Sequence, residues 1–194
     1  MDNRPLSSVI KRVALGYVLI YFNINIGTLN LLPNWAGYLL IVSALPFLSR
    51  KEGSAILLKP LGVALALWSG FEWVFALFGG KADAYLIGVT VGILNIYFHF
   101  QLITNISEFA SEPNRKKRLL ILRSATVIFC TATVILLSIP DIRYAAIITV
   151  IAQCVMCIWV CVELCLLSSA LKREEAMTKV QSGISVESGN ENPC

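Results

Sequence analysis

The sequence predicts an all-α, polytopic membrane protein: six transmembrane helices in one domain, residues 1–171, with both termini cytoplasmic. Three observations predict it: a very apolar composition, six apolar runs near the length of one crossing, and basic residues gathered on alternate connections. Of the 194 residues, 57% are hydrophobic and 14% charged, and the mean hydropathy is +0.73. Soluble domains carry about 25% charged residues. About 20 apolar residues make one bilayer crossing. Backbone groups find no water there, so helices or a closed barrel are required. These runs are too long and too little alternating for barrel strands.

Residues 1–8 are a polar leader. Lys11, Arg12 and the run Val13–Phe22 imitate a signal peptide, but no small-residue cleavage site follows, and the segment reads as a retained first helix over 9–26. The stretch from Tyr21 to Tyr38, YFNINIGTLNLLPNWAGY, forms a polar elbow between two apolar runs. The second helix is expected over 31–48, with Pro33 tolerated in its first turn, ending at Pro46 and the charges Arg50, Lys51 and Glu52. At 1.5 Å per residue it only just crosses. Begun at Asn34 it is too short, and the elbow dips into the membrane.

A third helix, 60–78, is entered through Lys59, stopped by Gly79-Gly80, and carries Glu72 near its far end. The fourth, 84–105, follows the turn Lys81–Asp83. Next comes the most charged linker, Glu108 to Arg118, where Pro113-Asn114 is a breaker and cap signal. The fifth, 119–139, ends at Pro140. Asp141 suits the positive dipole end of a sixth helix over 142–171, longer than the bilayer needs. Residues 172–194 are polar without an apolar face and read as a disordered cytoplasmic tail.

Six crossings place fourteen of the sixteen Lys and Arg residues on one side, with only Lys81 and Arg143 on the other. That asymmetry sets the cytoplasmic side of a cell membrane. Five crossings would split the basic clusters. Trp35, Trp73, Tyr85 and Tyr144 then fall near the outer ends as an aromatic belt. The segments IYFNINI (20–26) and IYFHFQL (96–102) share three residues at similar places in the two halves, which suggests a weak 3+3 inverted repeat of the kind transporters use.

Polar residues inside apolar runs are the candidates for function. Glu72 and Glu163 are the acids deep in such runs, and burying one costs roughly 2.5 kcal/mol or more. Both also lie about two turns from an interface, where water or a snorkelling cation can reach them. Gly88, Gly92, Asn95 and His99 form one stripe by their spacings of three and four. The glycines would admit a close helix, with Asn95 and His99 bonding across the contact. His99 and Glu163 sit at similar depth, which makes Glu163 a secondary proton-relay candidate. Asn23, Asn25, Asn30 and Asn34 line the elbow. Capping accounts for Asn30 and Asn34; Asn23 and Asn25 are left as possible ligand-facing groups.

Cys154, Cys157, Cys161 and Cys165 form a helix 6 stripe better suited to packing than to redox chemistry, since thiol reactivity needs exposure and thiolate stabilisation. One helix cannot supply a tetrahedral metal set. No Walker loop, H-E-x-x-H or G-x-S-x-G is present, so no catalytic residue, metal or cofactor is expected.

The stretches NINIGTLNLLPNWAGYLLI and YFHFQLITNISEFA resemble segments of small uncharacterised integral membrane proteins of clostridial, Firmicute type, a likeness that brings no activity with it. Size, six helices and cytoplasmic termini are also similar to the substrate-binding subunits of energy-coupling-factor vitamin transporters. Helix 1 departs from that family's small-residue repeat where Val18 follows Ala14 by four residues.

The expected function is transporter-like or small-solute-binding, non-enzymatic, with a polar site of Asn23, Asn25, Glu72, Asn95 and His99. The alternative is an accessory or scaffold subunit that holds a membrane-protein partner, or a second copy of itself, through Gly88 and Gly92. The lipid bilayer is the expected surrounding, and nucleic acid is not an expected partner.

Overall fold

The computed structural model describes residues 5–22, 25–26, 29–30, 33–50, 52–78, 80, 85–137 and 143–188. Among these are six α-helices: α1 Leu6–Tyr21, α2 Asn34–Leu48, α3 Leu58–Leu77, α4 Tyr85–Ser107, α5 Pro113–Leu137 and α6 Arg143–Ser188. The helices pack in chain order, and α6 closes the ring against α1. Burial on α1 recurs at Val9, Ile10, Val13, Ala14, Tyr17 and Ile20, the three- and four-residue spacing of one helical stripe. It meets Ile41, Leu45 and Leu48 of α2 and Val160, Leu164 and Leu167 of α6 in one core. The outside is apolar as well, with Leu67, Ile128 and Ile148 largely exposed, while His99, Asn105, Thr126 and Glu163 are buried. That inversion suits a lipid solvent.

Among the described residues, three segments are both long and apolar enough to cross a membrane: Gly53–Leu77, Ile87–Ser107 and Ile147–Thr178. The helix Asn34–Leu48 is apolar but has 15 residues, about 22 Å of rise, against a hydrocarbon core of about 30 Å. Helix α1 has 16 residues, and α5 carries Arg115, Lys116, Lys117, Arg118 and Arg123 in its first half.

Several boundaries differ from expectation, each for a local reason. Helix α1 stops at Tyr21, not 26, because the elbow contains a hairpin: Asn25 pairs with Asn30 and Ile26 with Leu29. Helix α2 starts at Asn34 with Pro33 as its extended N-cap, and it runs through Pro46 to Leu48. Helix α3 is preceded by a 3-10 turn, Gly53–Leu57. Pro113 does not break the chain; it opens α5 as a first-position proline, which turns half of the expected linker into helix. The tail is the largest difference, since α6 continues to Ser188. Its first residues are held by the bundle: Ser7 Oγ donates to Glu175 Oε2 at 2.9 Å, and Ser111 Oγ donates to Glu174 Oε2 at 3.2 Å.

These contacts define one end of the bundle. The start of α1, the end of α4, the start of α5 and residues 168–175 of α6 meet there, with Ser168 Oγ donating to the Ser7 carbonyl at 2.7 Å. Ser54, before α3, donates to Asn105 Oδ1 at 3.0 Å and adds the α2–α3 connection to the same end. Lys11, Arg12, Arg50, Lys59, the run Arg115–Arg118, Lys172 and Arg173 therefore share it.

Helices α1 and α2 touch backbone to backbone. A methyl group on Gly37 would lie 2.6 Å from Gly16 O, and one on Gly16 would lie 2.9 Å from Gly37 O. Small-residue approach was expected instead at Gly88 and Gly92; at Gly88 a methyl group meets nothing within 4 Å, so no helix among the described residues packs on that position. The matched segments of the suggested repeat also differ in burial. Tyr21 lies against the His99 ring and Phe22 is exposed, whereas Tyr97 is exposed and Phe98 fully buried. The three-residue match does not mark equivalent positions.

Candidate functional site

Each glycine of the α1–α2 contact is followed by a tyrosine, Gly16-Tyr17 and Gly37-Tyr38. One residue along a helix turns the side chain by about 100°, so the glycines fix the backbone approach and the tyrosines face inward. Both reach α4. Tyr17 Oη and His99 Nδ1 share a hydrogen bond at 3.1 Å whose direction follows the ring tautomer. Tyr38 Oη donates to Asn95 Oδ1 at 2.8 Å. Asn95 and His99 are one turn apart, so two tyrosines from two helices read two consecutive turns of a third.

His99 is 2% exposed and ringed by aromatics, its centroid 5.0 Å from Tyr17, 5.4 Å from Tyr21, 6.3 Å from Tyr38 and 5.5 Å from Phe98. Tyr17 and Tyr21 stack at 6.0 Å. On the α5–α6 side the Cys130 thiol, a weak hydrogen-bonding group, is the neighbour of both Tyr21 and Gln153. His99 Nε2, Tyr21 Oη and both amide atoms of Gln153 are buried and lack a hydrogen-bond partner. Each such atom costs about 1–3 kcal/mol. Five helices thus direct polar groups to one centre.

The expected site residues are only partly brought together. Asn95 and His99 belong to this centre. Asn23 lies outside the described residues. Asn25 sits in the hairpin strand beyond the end of α1. Glu72 is exposed on α3, whose burial ends at Ala66: no residue from Leu67 to Phe78 is buried. Glu163 is buried, but its carboxylate faces Arg118 at 3.4 Å, with Oε2 unpartnered. The partner recorded for His99 is Tyr17, so His99 and Glu163 do not form the expected relay pair. The cysteine stripe divides between a buried Cys157, a half-buried Cys161 and exposed Cys154 and Cys165. Among the described residues no three His, Cys, Asp or Glu side chains cluster to hold a metal ion.

Tyr17, Tyr21, Tyr38, Cys130 and Gln153 were not expected in the site. A polar amide inside the apolar α6 run is itself a functional pointer, so Gln153 was legible. The tyrosines were not, because an amphipathic ring in an apolar run also reads as an interfacial anchor.

No family model, curated protein or solved structure matches the chain.

Proposed function

We propose that this chain is a six-crossing, non-enzymatic membrane protein, N-in and C-in, that binds a small polar solute at the centre formed by Tyr17, Tyr21, Tyr38, Asn95, His99 and Gln153. One observation carries the reading: His99 Nε2, Tyr21 Oη and the Gln153 amide are buried, unpartnered and gathered from three helices. Native interiors leave few such atoms, and a site built to hydrogen-bond a ligand is one reason to keep them. The groups offered are a phenol, an imidazole and an amide, with no acid or cation bonded to them. They suit a neutral ligand with both donors and acceptors. The basic end of the bundle supports the orientation, since positive connections stay cytoplasmic. A transport role is the natural extension, with the hairpin end facing outward.

The test is thermal stabilisation of purified protein by a library of neutral amides, polyols and nucleobases. A hit should disappear in His99→Ala and in Gln153→Leu. A partner protein that co-purifies while no solute stabilises would replace this reading with the accessory-subunit one, for which the uncovered α4 face at Gly88 would be the docking surface.

A further inference from the structure

The first two turns of α5 carry four consecutive cations, Arg115 to Arg118, at the positive end of a helix dipole. Such placement is unfavourable unless anions answer it. Three of the four are answered within the chain. Arg115 meets Glu112 at 3.5 Å, Lys116 meets Glu108 at 2.6 Å, and Arg118 meets Glu163 at 3.4 Å. Among the described residues Lys117 has no carboxylate partner, and neither does Arg123, which instead donates to Thr104 Oγ1 at 3.1 Å and lies 4.2 Å over the Phe100 ring.

Lys117 and Arg123 line one open groove of about 710 Å³ along α5, and its wall continues through Leu120, Ile121, Ala125 and Ile128. Ile121 and Ile128 are 57% and 66% exposed. From Lys117 to Ile128 the helix rises about 16 Å, close to the roughly 15 Å of hydrocarbon in one leaflet, half of a 30 Å core. The groove therefore has Lys117 at one end, Arg123 about 9 Å further along, and an apolar wall that starts between them and continues to Ile128.

We infer that this groove seats one anionic phospholipid, its phosphate at Lys117 on the basic end, with the long Arg123 side chain reaching back toward it, and an acyl chain along Ile121 to Ile128. The inference rests on the membrane reading above but not on the solute site. Charge complementarity selects the occupant: a zwitterionic lipid offers the same phosphate but brings its own ammonium beside the two cations, whereas an anionic lipid offers the phosphate alone. The basic end also meets the cytoplasmic leaflet, where anionic lipids attract Lys and Arg. Glu108 is the carboxylate beside the groove, and Lys116 already neutralises it.

The experiment begins with carbonate extraction of membranes containing the full chain; release of the protein would remove the membrane reading itself. Extracted protein is then returned to nanodiscs of phosphatidylcholine, with or without phosphatidylglycerol, and retained lipid is counted by native mass spectrometry. Phosphatidylglycerol should be preferred by about fivefold for each cation, and Lys117→Gln should lower that preference about fivefold. Arg123→Gln should lower it further, but it also loses the Thr104 contact, so the Lys117 variant decides. Equal retention of the two lipids, or a preference unchanged in Lys117→Gln, overturns the inference. So does equal thermal stabilisation by inorganic phosphate alone, which would make the groove a site for the free anion.

Discussion

The contact between Gly16 and Gly37 allows one substitution, glycine to alanine, to be given opposite signs at two places. A methyl group on Gly37 would stand 2.6 Å from Gly16 O and 2.7 Å from Ile20 Cγ1, where ordinary contact begins at 3.4 Å. The obstruction from Gly16 is backbone, so α1 and α2 must separate by about 0.8 Å. A gap of 0.5–1 Å forfeits about a quarter to a half of each dispersion contact along the seam. Overpacking costs about 1–3 kcal/mol, and alanine returns about 1 kcal/mol through helix propensity. Gly37→Ala should therefore lose up to about 2 kcal/mol, which lowers Tm by about 4–8 °C for a chain of this size. At Gly88 the methyl group meets nothing within 4 Å. Only the propensity gain of about 1 kcal/mol remains, and Gly88→Ala should raise Tm slightly. Both variants are read by thermal unfolding in one detergent at one protein concentration. Gly37→Ala as stable as the parent would refute the close approach. A destabilised Gly88→Ala would mean that this face is covered by a second copy or partner.

Two further outcomes follow from named contacts. Tyr38→Phe should cost about 1 kcal/mol by removing the donor to Asn95, and in the double variant with Asn95→Leu the two losses should not add; additive losses in the thermal cycle would deny the hydrogen bond. Truncation after Thr178 should leave the unfolding free energy within about 0.5 kcal/mol of the parent, whereas truncation after Leu171 removes Glu174 and Glu175 and should cost about 1 kcal/mol or more. Equal effects of the two truncations would show that the anchoring by Ser7 and Ser111 contributes nothing.

The existence and order of the helices were legible because lipid-length apolar runs leave few alternatives. Their ends were not, because ends are set by local chemistry that hydropathy averages away. Between the paired Ile26 and Leu29 the sequence reads Gly-Thr, and a glycine at that place is a hairpin signal in its own right. Residues 172–188 lack an apolar face, yet Ala176 and Met177 are good helix formers, and Glu175 stands four residues before Lys179, a favourable helical pair. Disorder was inferred from polarity alone, and propensity with two tertiary hydrogen bonds to Glu174 and Glu175 outweighed it.

Depth along a helix was readable for the candidate site, but coverage was not. Glu72 is seven residues beyond Leu65 and so shares its face, yet Leu65 is 3% exposed and Glu72 is exposed. The difference lies in neighbours: Val42 and Phe98 cover Gly62, and burial is lost further along α3. Asn95 and His99 were found because their stripe does meet other helices. The helices that meet them are α1 and α2, through Tyr17 and Tyr38, which the glycine pattern of α4 did not identify.

This links the packing defect of the first prediction to the site. Tyr17 and Tyr38 are the immediate successors of Gly16 and Gly37, so a separation of about 0.8 Å at the glycines is delivered to both hydroxyls. The Tyr17–His99 bond is 3.1 Å and the Tyr38–Asn95 bond 2.8 Å; a shift of that size at either exceeds the usual N–H···O and O–H···O range. Gly37→Ala should then weaken stabilisation by any solute that His99→Ala abolishes, although no atom of Gly37 reaches the polar centre. Gly88→Ala should leave that stabilisation intact. A solute response insensitive to Gly37→Ala, in protein whose Tm has fallen as expected, would separate the glycine seam from the site and place the ligand away from the Tyr17 and Tyr38 hydroxyls.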